Sequence, residues 1–234
     1  MILSIIIPVY NEEKTISEII RRVKKVKLRK DFLKEIVVVN DASLDKTSEK
    51  LQNIKGIIVL NHKKNLGKGA AITTGFKKAS GDIILIQDAD LEYDPEDYTR
   101  LIRPIVDGFT DVVYGSRLKN YPLRIRGTRK TPLITHYLGN KFLSLVTRML
   151  YRTDLSDMET CYKVFKKGVV KDLKLRANRF DFEPEITAKI LKNGYKIYEI
   201  PIKVKPRGYD EGKKITWKDG FIAVWTLIKY RFIN

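Results

Sequence analysis

Cysteine is nearly missing from this chain: Cys161 stands alone among 234 residues. No disulfide can close within it, and a reducing compartment is the simpler setting. A lone cysteine in an apolar neighbourhood is expected to be a small packed side chain rather than a reactive thiol. Long hydrophobic runs are missing too. No apolar stretch approaches the ~20 residues a spanning helix requires, so the chain is not expected to cross a bilayer by itself. The start, an apolar run from Ile2 to Pro8 followed by Asn11-Glu12-Glu13, lacks the basic segment and cleavage site of a secretory signal. A cytoplasmic location is the expectation. Acidic residues are scarce: 28 Asp and Glu face 46 Lys and Arg, a formal net charge of +18. That excess predicts attraction to polyanions, among which nucleic acid, anionic lipid and sugar-nucleotide phosphates qualify. A non-catalytic nucleic-acid module has only this charge in its favour, since no recognised nucleic-acid motif accompanies it. With 43% hydrophobic residues and no internal repeat or low-complexity tract, the chain fits one ordinary domain with a short appendage.

What is present is a regular alternation. Strands are predicted at Ile2 to Val9, Glu35 to Val39, Gly56 to Leu60, Asp82 to Gln87 and Asp111 to Tyr114. Helices are predicted from the 3.6-residue spacing of Ile16, Ile19, Ile20 and Val23, around Thr47 to Leu51, from Lys68 to Ala79 and after Pro95. Such an order implies an α/β fold with a mostly parallel sheet flanked by helices, and ligands at the carboxyl ends of its strands. Further on, Leu133 to Tyr151 is apolar around much of its circumference, with Ile134, Leu138, Phe142, Leu145 and Met149 on one stripe. It is expected to be a core helix on the sheet edge in preference to a membrane-facing one. Strands from Thr160 to Phe165 and Lys196 to Val204 bracket a helix from Glu183 to about Lys192. The tail places Trp217, Phe221, Val224, Trp225, Ile228 and Phe232 at helical spacing among Lys218, Lys229 and Arg231. This amphipathic helix suits either a membrane interface or packing back on the domain.

The chemistry concentrates at strand ends. Ile83 to Ile86 is followed by carboxylates at alternate positions, Asp88, Asp90 and Glu92. On an extended chain, side chains two apart point the same way, so these acids are expected to converge on a divalent cation; the plainer alternative is a solvated acidic turn before Pro95. Pro8-Val9-Tyr10-Asn11-Glu12 closes the first strand, and Asn40-Asp41-Ala42-Ser43 with Asp45 and Thr47 closes the second, where a turn and helix cap would also account for the residues. Gly67-Lys68-Gly69 lacks the spacing of a Walker loop, and its glycines suit a tight turn. No glycine-rich start follows the first strand, which disfavours a sugar nucleotidyltransferase.

These blocks, with Asn65-Leu66-Gly67-Lys68-Gly69, Gly81-Asp82 and Asp88-Ala89-Asp90, resemble the family-two inverting glycosyltransferases and their GT-A nucleotide-sugar-binding fold. The resemblance implies that Pro8, Tyr10, Glu12 and Asp41, with Lys68, hold the nucleotide part of a sugar donor. It implies Mg2+ or Mn2+ on the donor diphosphate through Asp88 and Asp90, with Glu92 a further ligand. The second half, through Tyr114-Gly115-Ser116-Arg117, Asp157 to Lys167, Phe182-Glu183-Pro184-Glu185 and Arg207 to Lys214, is similar to polyprenyl-phosphate sugar synthases such as the dolichyl-phosphate mannose and glucose synthases. Residues 1–214 would then form the catalytic domain, with 1–117 the nucleotide-sugar and metal half and 118–214 the acceptor half, and 215–234 the amphipathic helix.

The implied reaction transfers a hexose, mannose or glucose, from GDP-mannose or UDP-glucose to a polyprenyl or dolichyl phosphate with inversion. A lipid monophosphate, with a second pKa near ~6, is already largely anionic and needs no base. Asp90, Arg117, Arg207 and Lys213 would neutralise and align the reacting groups, and Arg117, Arg124, Arg126 and Arg129 would pair with the acceptor phosphate. The bland alternative is that these cations solvate the rim. A carbohydrate or protein hydroxyl as acceptor would need a base, for which Asp157 is the candidate. Glu183 and Glu185 are first-turn acids that complement a helix dipole. Attachment at the cytosolic membrane face, with or without a membrane protein partner, would be peripheral, through the Trp217 to Phe232 helix, the Leu133 to Tyr151 helix and basic side chains.

Overall fold

The computed structural model describes residues 1–119, 134–205 and 217–233, with backbone alone at 134–136 and 217–219. Strands and helices alternate first: β1 (Ile2–Val9), α1 (Ile16–Lys25), β2 (Leu33–Asn40), α2 (Thr47–Gln52), β3 (Ile58–Asn61), α3 (Lys68–Lys78) and β4 (Ile83–Ile86). A short 3-10 turn at Pro95–Asp97 leads into α4 (Tyr98–Val106) and β5 (Val112–Ser116). The remainder is α5 (Ile134–Tyr151), β6 (Lys163–Lys166), α6 (Lys167–Lys171), α7 (Phe182–Lys192), β7 (Ile197–Pro201) and α8 (Trp217–Phe232).

β1 and β4 are continuous Ile- and Leu-rich runs because helices cover both faces of the sheet, and Ile5, Ile6, Ile7, Ile83 and Leu85 have no exposed surface. α1 turns Ile16, Ile19, Ile20 and Val23 inward while its lysines and arginines face out. Each such burial stabilises by about 1.5–3 kcal/mol before chain entropy is counted.

The seven strands lie in the order β3-β2-β1-β4-β6-β5-β7. β6 runs antiparallel to both β4 and β5, and every other pairing is parallel. Because β6 is reversed, its first residues stand at the carboxyl ends of its neighbours, with Leu85 opposite Val164 and Tyr114 opposite Lys163. The ends of β1, β2, β4 and β5 and the stretch entering β6 therefore share one edge. Four strands are shorter than expected, β3, β4, β6 and β7. β4 ends at Ile86, and β6 begins at Lys163 because Asp157 to Tyr162 is irregular backbone committed to that edge. The short α6 has no strong periodic signal of its own.

α5 departs from the expectation of a core helix. It packs mainly on α8 and α7, and of its named stripe Leu138, Phe142, Leu145 and Met149 face outward, all more than half exposed. The inward side is Leu143, Ser144 and Thr147. α8 resolves its two alternatives into two faces. Ala223, Leu227 and Tyr230 pack inward, and Phe221, Trp225 and Phe232 stand out. The outward faces of the paired helices carry large apolar side chains together with Lys141, Arg148 and Arg231, and no helix among the described residues is long and apolar enough to cross a membrane.

Candidate active site

The loops after β1 and β2 are stitched together by side chains. Asn11 donates its amide to Ser43 Oγ (3.0 Å) and accepts from the Leu44 amide (2.8 Å), while the Glu12 amide donates to Thr47 Oγ1 (2.9 Å). Asn11 and Ala42 both take left-handed backbone, at φ 54 and 57. For alanine that costs about 1–2 kcal/mol, which the surrounding bonds outweigh. The turn-and-cap alternative for 40–47 is part of this: Asp45 accepts from the Thr47 amide (2.9 Å). Pro8 is buried within β1, opposite Val39, whereas Tyr10 and Glu12 are half-buried at the strand end.

Asp41 is turned toward the protein. Its carboxylate receives the Leu66 amide (2.8 Å), the Gly67 amide (2.7 Å) and His62 Nδ1 (2.7 Å), and His62 Nε2 reaches Thr74 Oγ1 (2.9 Å). Of the roughly four positions a carboxylate can fill, about one remains. Asp41 thus fixes the loop that enters α3. There, a Cβ on Gly69 would lie 2.5 Å from the Ala177 carbonyl oxygen and 2.9 Å from Phe182 Cβ. The glycine is needed for close backbone approach across the site, and it seats Lys68 between the two halves of the molecule.

Lys68 Nζ stands 2.9 Å from Asp88 Oδ1 and 3.1 Å from Glu183 Oε1. Burial works against the ammonium, but Asp88 and Glu183 outweigh it and hold its pKa well above the usual lysine range. Burial would likewise push the Asp88 carboxyl up; Lys68 and the Cys161 thiol reverse this and keep it below its ordinary value. Cys161 is buried and its thiol pKa is raised by burial and by Asp88, as befits a packed residue rather than a nucleophile.

The expected convergence of Asp88, Asp90 and Glu92 is not found. Among the described residues no three Asp, Glu, His or Cys side chains are gathered as cation ligands. The alternate-position rule holds only on extended chain, and residues 89–92 bend after β4 ends. Asp88 goes to Lys68, while Asp90 Oδ1 accepts the Glu92 amide (3.1 Å). Asp90 and Glu92, half-buried hard-oxygen donors, still fit a magnesium- or manganese-type ion, which takes one or two carboxylates and completes its shell with phosphate and water.

Across the site, Arg117 grips Asp157 from both ends. Nε and Nη2 of the guanidinium donate at 2.8 Å each to Oδ2 and Oδ1, and the Arg117 amide adds a third bond to Oδ2 (2.8 Å). Asp157 has no exposed surface, and the Asp157 and Ser156 amides are held by Glu199 on β7. Lys163, fully buried, ties the carbonyls of Met158 and Thr160. Between the Lys68 and Arg117 clusters lies Glu159. Its carboxyl is pushed up to about 8 by burial and then by Glu183, against Lys163 and Arg117.

A model of "Glycosyl transferase family 2" matches residues 4–174. The chain belongs to glycosyltransferase family 2. It is 31% identical to UDP-N-acetylglucosamine–dolichyl-phosphate N-acetylglucosaminyltransferase of Methanococcus voltae, over 96% of this chain and 94% of the relative. It is also 31% identical to dolichol-phosphate mannosyltransferase of Pyrococcus furiosus, over 98% of this chain and 64% of that one. Glucosyl-3-phosphoglycerate synthase of Mycobacterium tuberculosis, solved with Mn2+, UDP and phosphoglyceric acid, superposes with a TM-score of 0.72 at 19% identity, over 99% of this chain and 79% of the other. That likeness establishes the GT-A fold.

In this glycosyltransferase, Tyr10, Glu12, Asp41, Lys68, Asp88, Asp90, Glu92, Arg117 and Asp157 all fall at the one sheet edge. Arg124, Arg126, Arg129, Arg207 and Lys213 lie outside the described residues; the backbone amide of Lys205, which precedes the last two, donates to the Glu92 carbonyl (2.9 Å). Sequence reading missed Glu159 and Lys163 and took Glu183 and Glu185 for dipole acids. Glu185 instead accepts the Arg176 and Ala177 amides, at 2.9 Å and 2.6 Å. The available signal was the acid at Glu183 within a helix that buries Phe182, Pro184 and Ile186 around it.

Proposed function

We propose that this glycosyltransferase moves a hexose, mannose or glucose, from a nucleoside-diphosphate donor to a polyprenyl phosphate, in one inverting displacement at a membrane surface. The observation that carries the choice of acceptor is the Arg117–Asp157 pair. A hydroxyl acceptor needs a base, yet both oxygens of the candidate Asp157 are spent on Arg117 and the side chain is sealed from solvent. An acceptor phosphate oxygen, already anionic, attacks the anomeric carbon as the bond to the departing diphosphate breaks, and no proton has to be removed. The names of relatives that act on dolichyl phosphates support the same class.

On this reading Asp157 and Glu199 position Arg117, whose guanidinium faces the incoming phosphate, and Arg124, Arg126, Arg129, Arg207 and Lys213 add further cations. Tyr10 and Glu12 take the nucleoside beside the loop that Asp41 fixes, and Lys68 with Asp88 borders the diphosphate. A divalent cation held by Asp90 and Glu92 would supply charge neutralisation for the leaving group. Residues 1–117 serve the donor's nucleotide and metal, and 118–214 chiefly the acceptor. The outward apolar faces of α5 and α8, with Lys141, Arg148 and Arg231 beside them, suit an anionic bilayer surface that holds the lipid acceptor.

UDP- and GDP-sugars, each offered with a short polyprenyl phosphate with and without Mn2+, test the reading by radiolabel moved into organic solvent. Label transfer to hydroxyl acceptors only would overturn it. Flotation with anionic liposomes should capture the chain and lose it on Phe142→Glu plus Trp225→Glu; equal capture of both refutes the membrane face.

A further inference from the structure

Two covered carboxyl oxygens in the site have no hydrogen-bond partner in the protein, Glu159 Oε1 and Glu183 Oε2. Native proteins leave few buried polar atoms unmatched, and the neighbouring acids show how completely this region otherwise satisfies them. Asp157 is filled by Arg117, Glu199 by two amides, and Glu185 by the Arg176 and Ala177 amides. Glu183 is one-sided: Oε1 is fixed by Lys68 at 3.1 Å, which leaves Oε2 aimed without a donor in a side chain only 6% exposed. Glu159 is half-buried, and among the charges around it Glu183 acts most strongly, followed by Lys163, Arg117 and Asp157. The two acids thus sit between the Lys68–Asp88 corner and the Arg117–Asp157 corner. On the reading proposed above, the leaving diphosphate borders the first corner and the acceptor phosphate the second. The transferred ring must lie between them.

We propose that Glu159 and Glu183 read the donor's sugar, their unmatched oxygens exchanging hydrogen bonds with hydroxyls of the pyranose ring. The inference rests on the donor reading and adds to it the residues that distinguish one sugar from another. A hydroxyl brought to such an oxygen meets a partner already stripped of water and held rigid, so the bond forms with little reorganisation. A sugar lacking that hydroxyl leaves the oxygen unmatched, which is how polar pockets reject deoxy analogues far more strongly than apolar pockets reject a missing methylene.

The test uses the full chain with UDP, GDP, UDP-glucose, GDP-mannose and their monodeoxy analogues, and the variants Glu159→Gln and Glu183→Gln. Titration calorimetry of the nucleoside diphosphates alone should match wild type, while kcat/KM for the intact donor falls about tenfold to a hundredfold. One deoxy analogue that wild type rejects should be rejected much less by a variant. Wild-type kcat/KM and unchanged deoxy discrimination in Glu159→Gln would overturn the proposal, as would an equal loss of binding for UDP or GDP without sugar. Glu183→Gln also weakens the hold on Lys68, so Glu159→Gln decides if the former misfolds. A chain that binds no nucleotide sugar takes down the donor reading itself, an outcome distinct from binding without discrimination.

Discussion

Replacing Lys68 by methionine keeps the length and apolar stem of the side chain and removes only the ammonium that sits 2.9 Å from Asp88 and 3.1 Å from Glu183. Asp88 and the covered Glu183 then lose the cation they share, and among the described residues only Lys163 is left to act on both. Breaking a buried pair from one side costs about 3–5 kcal/mol, because the abandoned charge keeps its desolvation penalty. In a chain of this size that lowers Tm by roughly 10 °C. The loss must also depend on pH. With Lys68 present, the Asp88 carboxyl lies below its ordinary value of 3.8, so its contribution is present above that pH and is lost as pH falls through the depressed value. Without Lys68, burial dominates and raises the same carboxyl, so its contribution now disappears as pH rises. The gap between the two proteins should widen from pH 4 to pH 8 in urea denaturation curves. A gap below about 1 kcal/mol at pH 8, or one that does not change with pH, would refute the reasoning.

Arg117 and Asp157 should behave as a unit: Asp157→Asn, Arg117→Met and the double variant should each lose a similar fraction of sugar transfer, and additive losses would mean separate roles. In Glu159→Gln, stability should vary less with pH than in wild type. The wild-type carboxyl is raised from 4.5 to about 8, so its contribution is complete below 4.5 and fades as pH climbs through that window, whereas glutamine stays neutral; parallel curves would refute this. Gly69→Ala should destabilise by about 1–3 kcal/mol, because the added methyl meets the Ala177 carbonyl and Phe182, and an unchanged denaturation midpoint would show that the two segments can part.

The strands and helices of the first half were legible because each has a strong period and an unambiguous boundary, such as the apolar run at Ile83 to Ile86. The site was legible at the level of neighbourhood: topology alone takes Asp41, Asp88 and Arg117 to one edge. Pairing was not. Whether Asp88 meets a cation or Lys68 depends on where the chain bends after Ile86, and whether Asp157 is a base depends on Arg117 folding back on it from the next strand. α5 was misjudged for a related reason. A helix apolar on most sides reads the same whether its second face meets the core or the surroundings, and only the placement of α8 decided that Leu143 turns in and Phe142 out.

The reversed strand β6 has a consequence for how the chain is made. During synthesis β1 to β4 emerge within the first 86 residues and can zip together, but the open flank of β4 has no neighbour until residue 163 has left the ribosome. β5, which appears earlier, cannot take that place, because it pairs with β6 and β7 alone. A nascent chain paused between these points therefore presents the bare hydrogen-bonding edge of its most apolar strand, the kind of edge that recruits other chains. Slow non-local closure of the sheet, rather than helix formation, should then limit the rate at which this enzyme reaches its native state.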